Sequence, residues 1–285
     1  MTWQILAIAS TFGSAIALLL QRRFFQKHDV GIVDYAIFFQ IFTGFVLFLY
    51  ALVRGLDTSV NTLPALNILY MGLLFSFGSV MMFRAIATIH VSQFSILFSS
   101  RALWSVVAAF FVFGEVLTAV QILGATLVIA AIIIASYQKD FSSQNKGQLY
   151  ALLAAIAFGV AFVNDTYILK DGFDVPTFLS FAFIIPGLIL SVIYPKAGRA
   201  AAKMLFSPKI LLWATPISGF YAFGAITIFL AFQEAYNAAV LASIAQLQTI
   251  LIVLGGIIFL KEKTNITRKI VAGMISVVGV ILLTI

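Results

Sequence analysis

The stretch Phe110-Phe111-Val112-Phe113-Gly114-Glu115 closes a long apolar run, and Ile257-Ile258-Phe259-Leu260-Lys261-Glu262 closes another one 147 positions later. Upstream, Phe12-Gly13 and Phe158-Gly159 are related by almost the same offset. A spacing that recurs over so much of a chain indicates an internal repeat. We therefore interpret the chain as two copies of one unit, residues 1–140 and 147–285.

The composition excludes a water-soluble fold. Hydrophobic residues make up 62% of the 285 and charged residues 9%, with a mean hydropathy of +1.11. Soluble domains are closer to half apolar and a quarter charged, so this chain is predicted to be an integral membrane protein. The net charge of +7 comes mostly from short loops, which favours membrane topology over a nucleic-acid partner. The absence of cysteine excludes disulfides and thiolate metal sites.

Polar breaks divide the chain into apolar segments of about the length that spans a bilayer, roughly 20 residues each. They run too long and alternate too little for barrel strands, so we predict an all-α membrane protein. The most polar break, 138–147, is predicted to link the two copies. Five helices per copy is an odd number, so the second copy enters the membrane from the opposite side, as an inverted repeat. The ten predicted helices are 3–20, 34–53, 66–89, 91–113, 119–137, 148–169, 176–194, 210–235, 238–260 and 269–285.

The distribution of basic residues predicts the orientation. Thirteen Lys and Arg residues lie in the breaks after the odd-numbered segments, counting Lys269 at the start of the tenth segment, and two lie after the even-numbered ones. Because cytoplasmic loops are enriched in Lys and Arg, the odd-numbered loops are predicted to be cytoplasmic and both termini external.

Arg101 is the charge predicted to lie deepest in the membrane. It follows about ten residues of its segment and so lies roughly 15 Å from either surface. A charge facing lipid there costs from about 3 to more than 10 kcal/mol, so we expect it to face a polar cavity or an anionic partner. The alternative is an arginine held by backbone carbonyls or an internal acid. Its repeat equivalent is Gln248, while Ser99 corresponds to Gln246, and Trp104 could stack on a planar substrate or on the guanidinium.

Two acids are candidates for binding a proton. Asp165, beside Asn164, could bind a proton or a substrate amine, because burial favours the neutral carboxyl. The alternative is an acid at a helix end in interfacial water, and for Glu234 we favour that alternative. Arg84 either lines the path of a substrate through the protein or extends its side chain to the interface between membrane and water.

No catalytic or metal-binding pattern is present in the sequence. His28 and His90 lack ligand spacing with carboxylates, and no Walker loop, Ser-His-Asp set or HExxH motif occurs. We therefore expect no cofactor and no enzymatic activity. Glu115 and Glu262 recur at the ends of equivalent segments, which favours a structural role, either capping the next helix or pairing with loop cations.

The sequence resembles the EamA branch of the drug/metabolite transporter superfamily over essentially its whole length. The resemblance is carried by the ten segments, the duplication and the element Phe113-Gly114-Glu115-Val116-Leu117-Thr118, with Gln121 and Gly124 downstream. The second copy, Leu260-Lys261-Glu262-Lys263-Thr264, departs from the pattern because its Thr comes one residue early.

The resemblance implies a secondary transporter of small metabolites. A central arginine favours a substrate with a carboxylate, so export of amino acids or related compounds by alternating access is the leading hypothesis, with Arg101, Gln246, Gln248, Trp104, Asn164 and Asp165 at the site. A bacterial plasma membrane and a monomer or homodimer are expected. The alternatives are an intramembrane enzyme acting on lipids and a membrane scaffold that does not transport.

Overall fold

The computed structural model describes residues 2–56, 62–113, 117–137, 143–170, 174–234 and 244–285, and these residues are helical throughout apart from short connections. Nine helical spans among them are long and apolar enough to cross a membrane, with α4 and α5 together forming one span. The helices are α1 (Thr2–Lys27), α2 (Ile32–Arg54), α3 (Thr62–Thr88), α4 (Val91–Phe98), α5 (Arg101–Phe113), α6 (Ala119–Ser136), α7 (Ser143–Lys170), α8 (Val175–Ile193), α9 (Pro195–Met204), α10 (Pro208–Glu234), α11 (Leu247–Ile258) and α12 (Ile266–Thr284).

The surface is apolar and part of the interior is polar, which is the distribution expected of a protein in lipid. Large side chains such as Val53 and Phe111 are 84% and 78% exposed. By contrast, the hydroxyls of Thr43, Ser92 and Ser100 belong to fully buried residues. This pattern requires that the exposed side chains face hydrocarbon and that polar groups find partners inside the protein.

The most extensive helix contacts join the two halves of the chain. Helix α1 packs along α10, α3 along α7, α2 along α8, and α6 along α12. In each pair one helix precedes residue 137 and the other follows residue 143. The halves therefore share one interior instead of forming two separate bodies.

Glycines permit several of these close crossings. A Cβ added to Gly124 would lie 2.6 Å from the Leu283 nitrogen and 2.7 Å from the Gly279 oxygen. A Cβ on Gly13 would lie 2.9 Å from the Phe220 oxygen. The contact of helix backbones at small residues is a common way for membrane helices to associate.

The ends of several helices meet on one surface, which we name the basic face. Arg22 donates hydrogen bonds to the carbonyls of Ile86 and, at 2.7 Å, of Ala87, which joins the end of α1 to the end of α3. The Lys27 ammonium lies 4.9 Å from the centre of the Trp213 ring on α10. Arg268 donates to the Tyr137 carbonyl at 2.6 Å, which joins the starts of α12 and the end of α6.

Two features differ from the sequence-based expectation. The fourth predicted segment is not one continuous helix, because α4 ends at Phe98 and α5 begins at Arg101. The predicted loop after the seventh segment contains the helix α9, which packs on α2 and α8. The predicted tight turn at His90 is present between α3 and α4.

We predict that Gly124→Ala destabilises the protein while Gly273→Ala does not. The new methyl at Gly124 would overlap backbone atoms of α12, and such overpacking typically costs about 1–3 kcal/mol. A Cβ at Gly273 meets its nearest atom at 3.5 Å, so that substitution should retain the small gain in helix propensity. Thermal unfolding of the two purified variants in detergent provides the comparison. Equal unfolding temperatures would contradict the role assigned to Gly124.

Candidate functional site

A helix break precedes Arg101, whose side chain is half-buried. Ser99 and Ser100 form a turn between α4 and α5, and their hydroxyls donate to the carbonyls of Ile96 at 2.7 Å and Leu97 at 2.6 Å. The Ser99 hydroxyl also bonds that of Ser276 on α12. Because these hydroxyls satisfy carbonyls near the interrupted ladder, the break is tolerated away from water.

The second half is interrupted at the equivalent position. Gln246 forms a turn immediately before α11, and 147 residues separate it from Ser99. Its side chain is buried, and that of Gln248 is half-buried in the first turn of α11. Helix α4 packs against α11, so the two interrupted segments are neighbours. Paired interruptions of this kind are typical of substrate sites between transporter repeats.

The Arg101 guanidinium lies over an aromatic ring. It lies 5.0 Å from the centre of the Phe98 ring, and it is within electrostatic range of Tyr221 on α10. The Tyr221 ring is held edge-on by Phe39 at 5.3 Å and Phe183 at 5.5 Å. The quadrupole of an aromatic ring stabilises a cation over its face, and no carboxylate is needed to neutralise the positive charge.

Phe98 and Tyr221 were not identified from the sequence. Phe98 precedes Arg101 by three residues, a separation that brings side chains together on a helix, and that signal was available. Tyr221 comes from another helix and gave no local signal. The ring beneath the guanidinium is that of Phe98, and stacking of Trp104 on the guanidinium or on a planar substrate stays a prediction.

Close contact between α5 and α7 fixes the position of this arginine. A Cβ on Gly159 would lie 2.5 Å from the Arg101 oxygen and 2.7 Å from the Trp104 Cβ. Ser105 donates to the Gly159 carbonyl at 2.9 Å. The Trp104 indole N–H is buried and has no hydrogen-bond partner among the described residues.

Asp165 lies on α7 beyond this contact, towards the face opposite the basic face. It is six residues past Gly159, which corresponds to about 9 Å along the helix. Its side chain is 5% exposed, and its Oδ1 atom has no hydrogen-bond partner among the described residues. The neighbouring Asn164 donates to the Asn67 carbonyl at 2.9 Å. The structure therefore separates Asp165 and Asn164 from the Arg101 cluster.

Two predicted positions lie outside what the structure describes. Glu115 falls in an undescribed segment, and the Glu234 side chain is likewise outside the described residues although its backbone ends α10.

In the described part of the chain, no three acidic or histidine side chains are grouped so as to hold a metal ion. Arg84 contacts the Tyr150 ring at 5.6 Å near the basic face.

Glu262 connects the second half to the start of α4. Its carboxylate accepts from the Val91 N–H at 2.8 Å and the Ser92 N–H at 3.2 Å, and also from the Ser92 hydroxyl. Lys269 forms an ion pair with it at 3.6 Å, and the His90 Nδ1 atom lies 3.5 Å from its Oε1 atom. The predicted structural role is thus present for Glu262, but the helix it caps belongs to the other half and is not the next one in the chain.

Residues of the family-like element in the first copy also have structural roles. Thr118 and Gln121 form a reciprocal capping box at the start of α6, with bonds of 3.2 and 3.0 Å. Gly124, one turn later, is the point of contact with α12. This part of the element therefore specifies helix ends and crossings.

Comparison with known proteins identifies the family. The model of the EamA-like transporter family matches residues 1–137 and again residues 145–285. A protein of known crystal structure aligns over 97% of this chain and 95% of its own, with a TM-score of 0.53 and 15% identity, which supports the fold alone. No curated protein sequence matches this chain.

We predict that Glu262→Gln destabilises the protein near pH 7 and weakens its response to acid. Burial alone would raise the pKa of the Glu262 carboxyl, but contacts with His90, Ser92 and the Val91 N–H lower it from 4.5 to about 2. Because the folded pKa is the lower one, this stabilisation is complete above about pH 4.5 and disappears as the pH falls towards 2, and it amounts to about 3 kcal/mol.

The measurement is the unfolding temperature of wild type and variant between about pH 7 and pH 3. The control is Asp29→Asn, which removes an exposed carboxyl and should behave like wild type. A Glu262→Gln curve parallel to that of wild type would show that the carboxylate does not supply this stability.

The two family matches together cover nearly the whole sequence and fall on successive halves of it. The apolar helices agree with a protein that crosses the membrane several times. The chain belongs to the EamA-like transporter family of the drug/metabolite transporter superfamily and contains two copies of the family's repeat.

Proposed function

We propose that this protein is a secondary transporter that exports amino acids or related small carboxylates across a bacterial plasma membrane. The observation that carries this proposal is Arg101, a cation at a helix break that has no acidic partner among the described residues. A substrate carboxylate is the natural partner of such a group, because an unpaired charge in the membrane interior is costly.

The proposed mechanism is alternating access between two inverted five-helix repeats, ten membrane helices in all. In this arrangement α1, α3 and α5 of the first repeat correspond to α7, α10 and α11 of the second. The contact of α1 with α10 therefore has its equivalent in the contact of α7 with α3, and both are extensive. The contact of α5 with α7 likewise has its equivalent in the contact of α11 with α1. Such paired contacts support an arrangement in which the repeats rock about a site at their common boundary.

Aromatic packing supports a barrier between this site and the basic face, which the distribution of Lys and Arg assigns to the cytoplasm. Tyr35 stacks on Phe24 at 4.9 Å and contacts Phe83 edge-on at 5.0 Å. Phe39 contacts both Phe83 and Tyr221 at 5.3 Å, so the rings form a continuous layer from α1 to α10. In the proposed cycle these rings separate when the site opens to the cytoplasm.

Gln246, Gln248 and Trp104 are proposed to bind other polar groups of the substrate. Gln246 and Gln248 flank the second helix break, opposite the break that precedes Arg101. The unpartnered Trp104 indole N–H can donate to a substrate oxygen. In this scheme Asp165 and Asn164 lie on the external part of the path, where Asp165 exchanges a proton or meets a substrate amine.

We expect Arg101→Gln to weaken transport strongly and Arg84→Gln to preserve it. Truncating one partner of a buried charge pair costs about 2–5 kcal/mol, so the KM should rise at least about tenfold. Arg84 is the matched control because it too lies within an apolar helix, but near the basic face. The assay is substrate uptake by proteoliposomes, screened over amino acids and related carboxylates.

Unchanged flux of every transported substrate in Arg101→Gln would remove Arg101 from the site. Failure of the wild-type protein to transport any solute would favour the scaffold, and an altered lipid product would favour the enzyme.

We expect Asp165→Asn to abolish the dependence of transport on a pH gradient. An unpaired carboxyl that is buried in the membrane can gain and lose its proton as its access to water changes. Glu234→Gln tests the second candidate, and Asp29→Asn is the control for an exposed acid. The measurement is flux with and without an imposed gradient, and gradient-dependent flux that survives in the Asp165/Glu234 double variant would refute this coupling.

A further inference from the structure

Helix α9 is a basic amphipathic helix at the basic face. Its buried residues Ala201 and Met204 join the core that includes α2. Lys196, Arg199 and Lys203 are all exposed, and their spacing of three and then four residues places them on one side of the helix. The helix is therefore fixed to the protein by one side and presents three cations on another.

No acidic residue compensates this charge locally. The chain contains none between Asp174 and Glu234, while Lys209 adds a fourth cation just after α9. Among the described residues, the acidic side chain that contacts basic ones is Glu262, which pairs with Lys269 and lies near the His90 ring. The three cations of α9 consequently have no anionic partner in the described part of the protein.

Exposed apolar side chains flank the cations on both sides in sequence. Val192 and Phe206 are 81% and 85% exposed, and Ile193, Tyr194 and Leu205 are also exposed. At the boundary of a bilayer, cations bind the lipid headgroups while neighbouring apolar side chains contact the acyl chains, and this surface offers both kinds of group side by side. A soluble acidic partner would match the cations but would leave these apolar side chains without a role.

We infer that α9 is a binding site for anionic phospholipid of the cytoplasmic leaflet. The phosphodiester contacts Lys196, Arg199 and Lys203, and the acyl chains lie along Val192 and Phe206. Basic residues close to an anionic membrane surface each add to the affinity, and their contribution is screened by salt. Since α9 packs on α2 and α8, a bound lipid would stabilise a contact between the two halves.

The test measures binding of phosphatidylglycerol to the purified, detergent-solubilised protein by native mass spectrometry. The variant K196Q/R199Q/K203Q should bind it on the order of 100-fold more weakly at low salt. The matched control R23Q/K146Q/K263Q removes one arginine and two lysines that are also exposed at the ends of helices on the basic face or in its loops. It should change the affinity less than about threefold, and K196R/R199K/K203R should bind like wild type.

Several results would overturn the inference: wild-type affinity in the α9 variant, an equal loss in the control, or equally tight binding of phosphatidylcholine by the wild-type protein. Displacement of the lipid by an equal concentration of glycerol phosphate would identify a free phosphate site instead. Wild-type protein alone gives a further check, because the affinity must fall as salt rises. Transport is not measured, so these outcomes do not depend on the proposed function.

Discussion

Within a lipid bilayer, a backbone carbonyl or N–H that leaves the helical ladder must find a partner inside the protein. This requirement governs where the chain departs from regular helix. At Ser99 and Ser100 two side-chain hydroxyls bond to carbonyls of the preceding turn, so α4 can stop and α5 can begin in the interior. The start of α4 meets the same requirement through the Glu262 carboxylate. Both solutions keep the backbone paired while allowing a short helix in the centre of the molecule.

The break between α4 and α5 sets the position of Arg101, which is the first residue of α5. The guanidinium lies over the Phe98 ring, whose face stabilises a positive charge. An acid in that position would neutralise the arginine and compete with an anionic ligand. Aromatic groups leave its charge available, which is the property that a site for carboxylates needs.

The sequence was sufficient for the features that depend on composition and spacing. The lengths of the apolar segments predicted the membrane spans, and an isolated charge in such a segment singled out Arg101. Two serines hardly change the polarity of an apolar run, so the break before Arg101 was missed. Pro195 and Gly198 with four nearby cations suggested a loop where α9 forms, because amphipathic packing on a neighbouring helix was not visible locally. Glu262 and Val91 are 171 residues apart, so their contact has no local signal, whereas the three-residue spacing of Phe98 from Arg101 is one.

The pairing of early helices with late ones has a consequence for biogenesis. Helix α1 packs on α10 and α6 on α12, so the first half leaves the ribosome and enters the bilayer before its main partners exist. The side chains that face its partners, and the start of α4 that Glu262 caps, therefore stay without their final contacts until the second half has been synthesised. Contacts so distant in sequence are slow to form. Assembly of this protein is therefore a late event that completes only when α12 has been inserted.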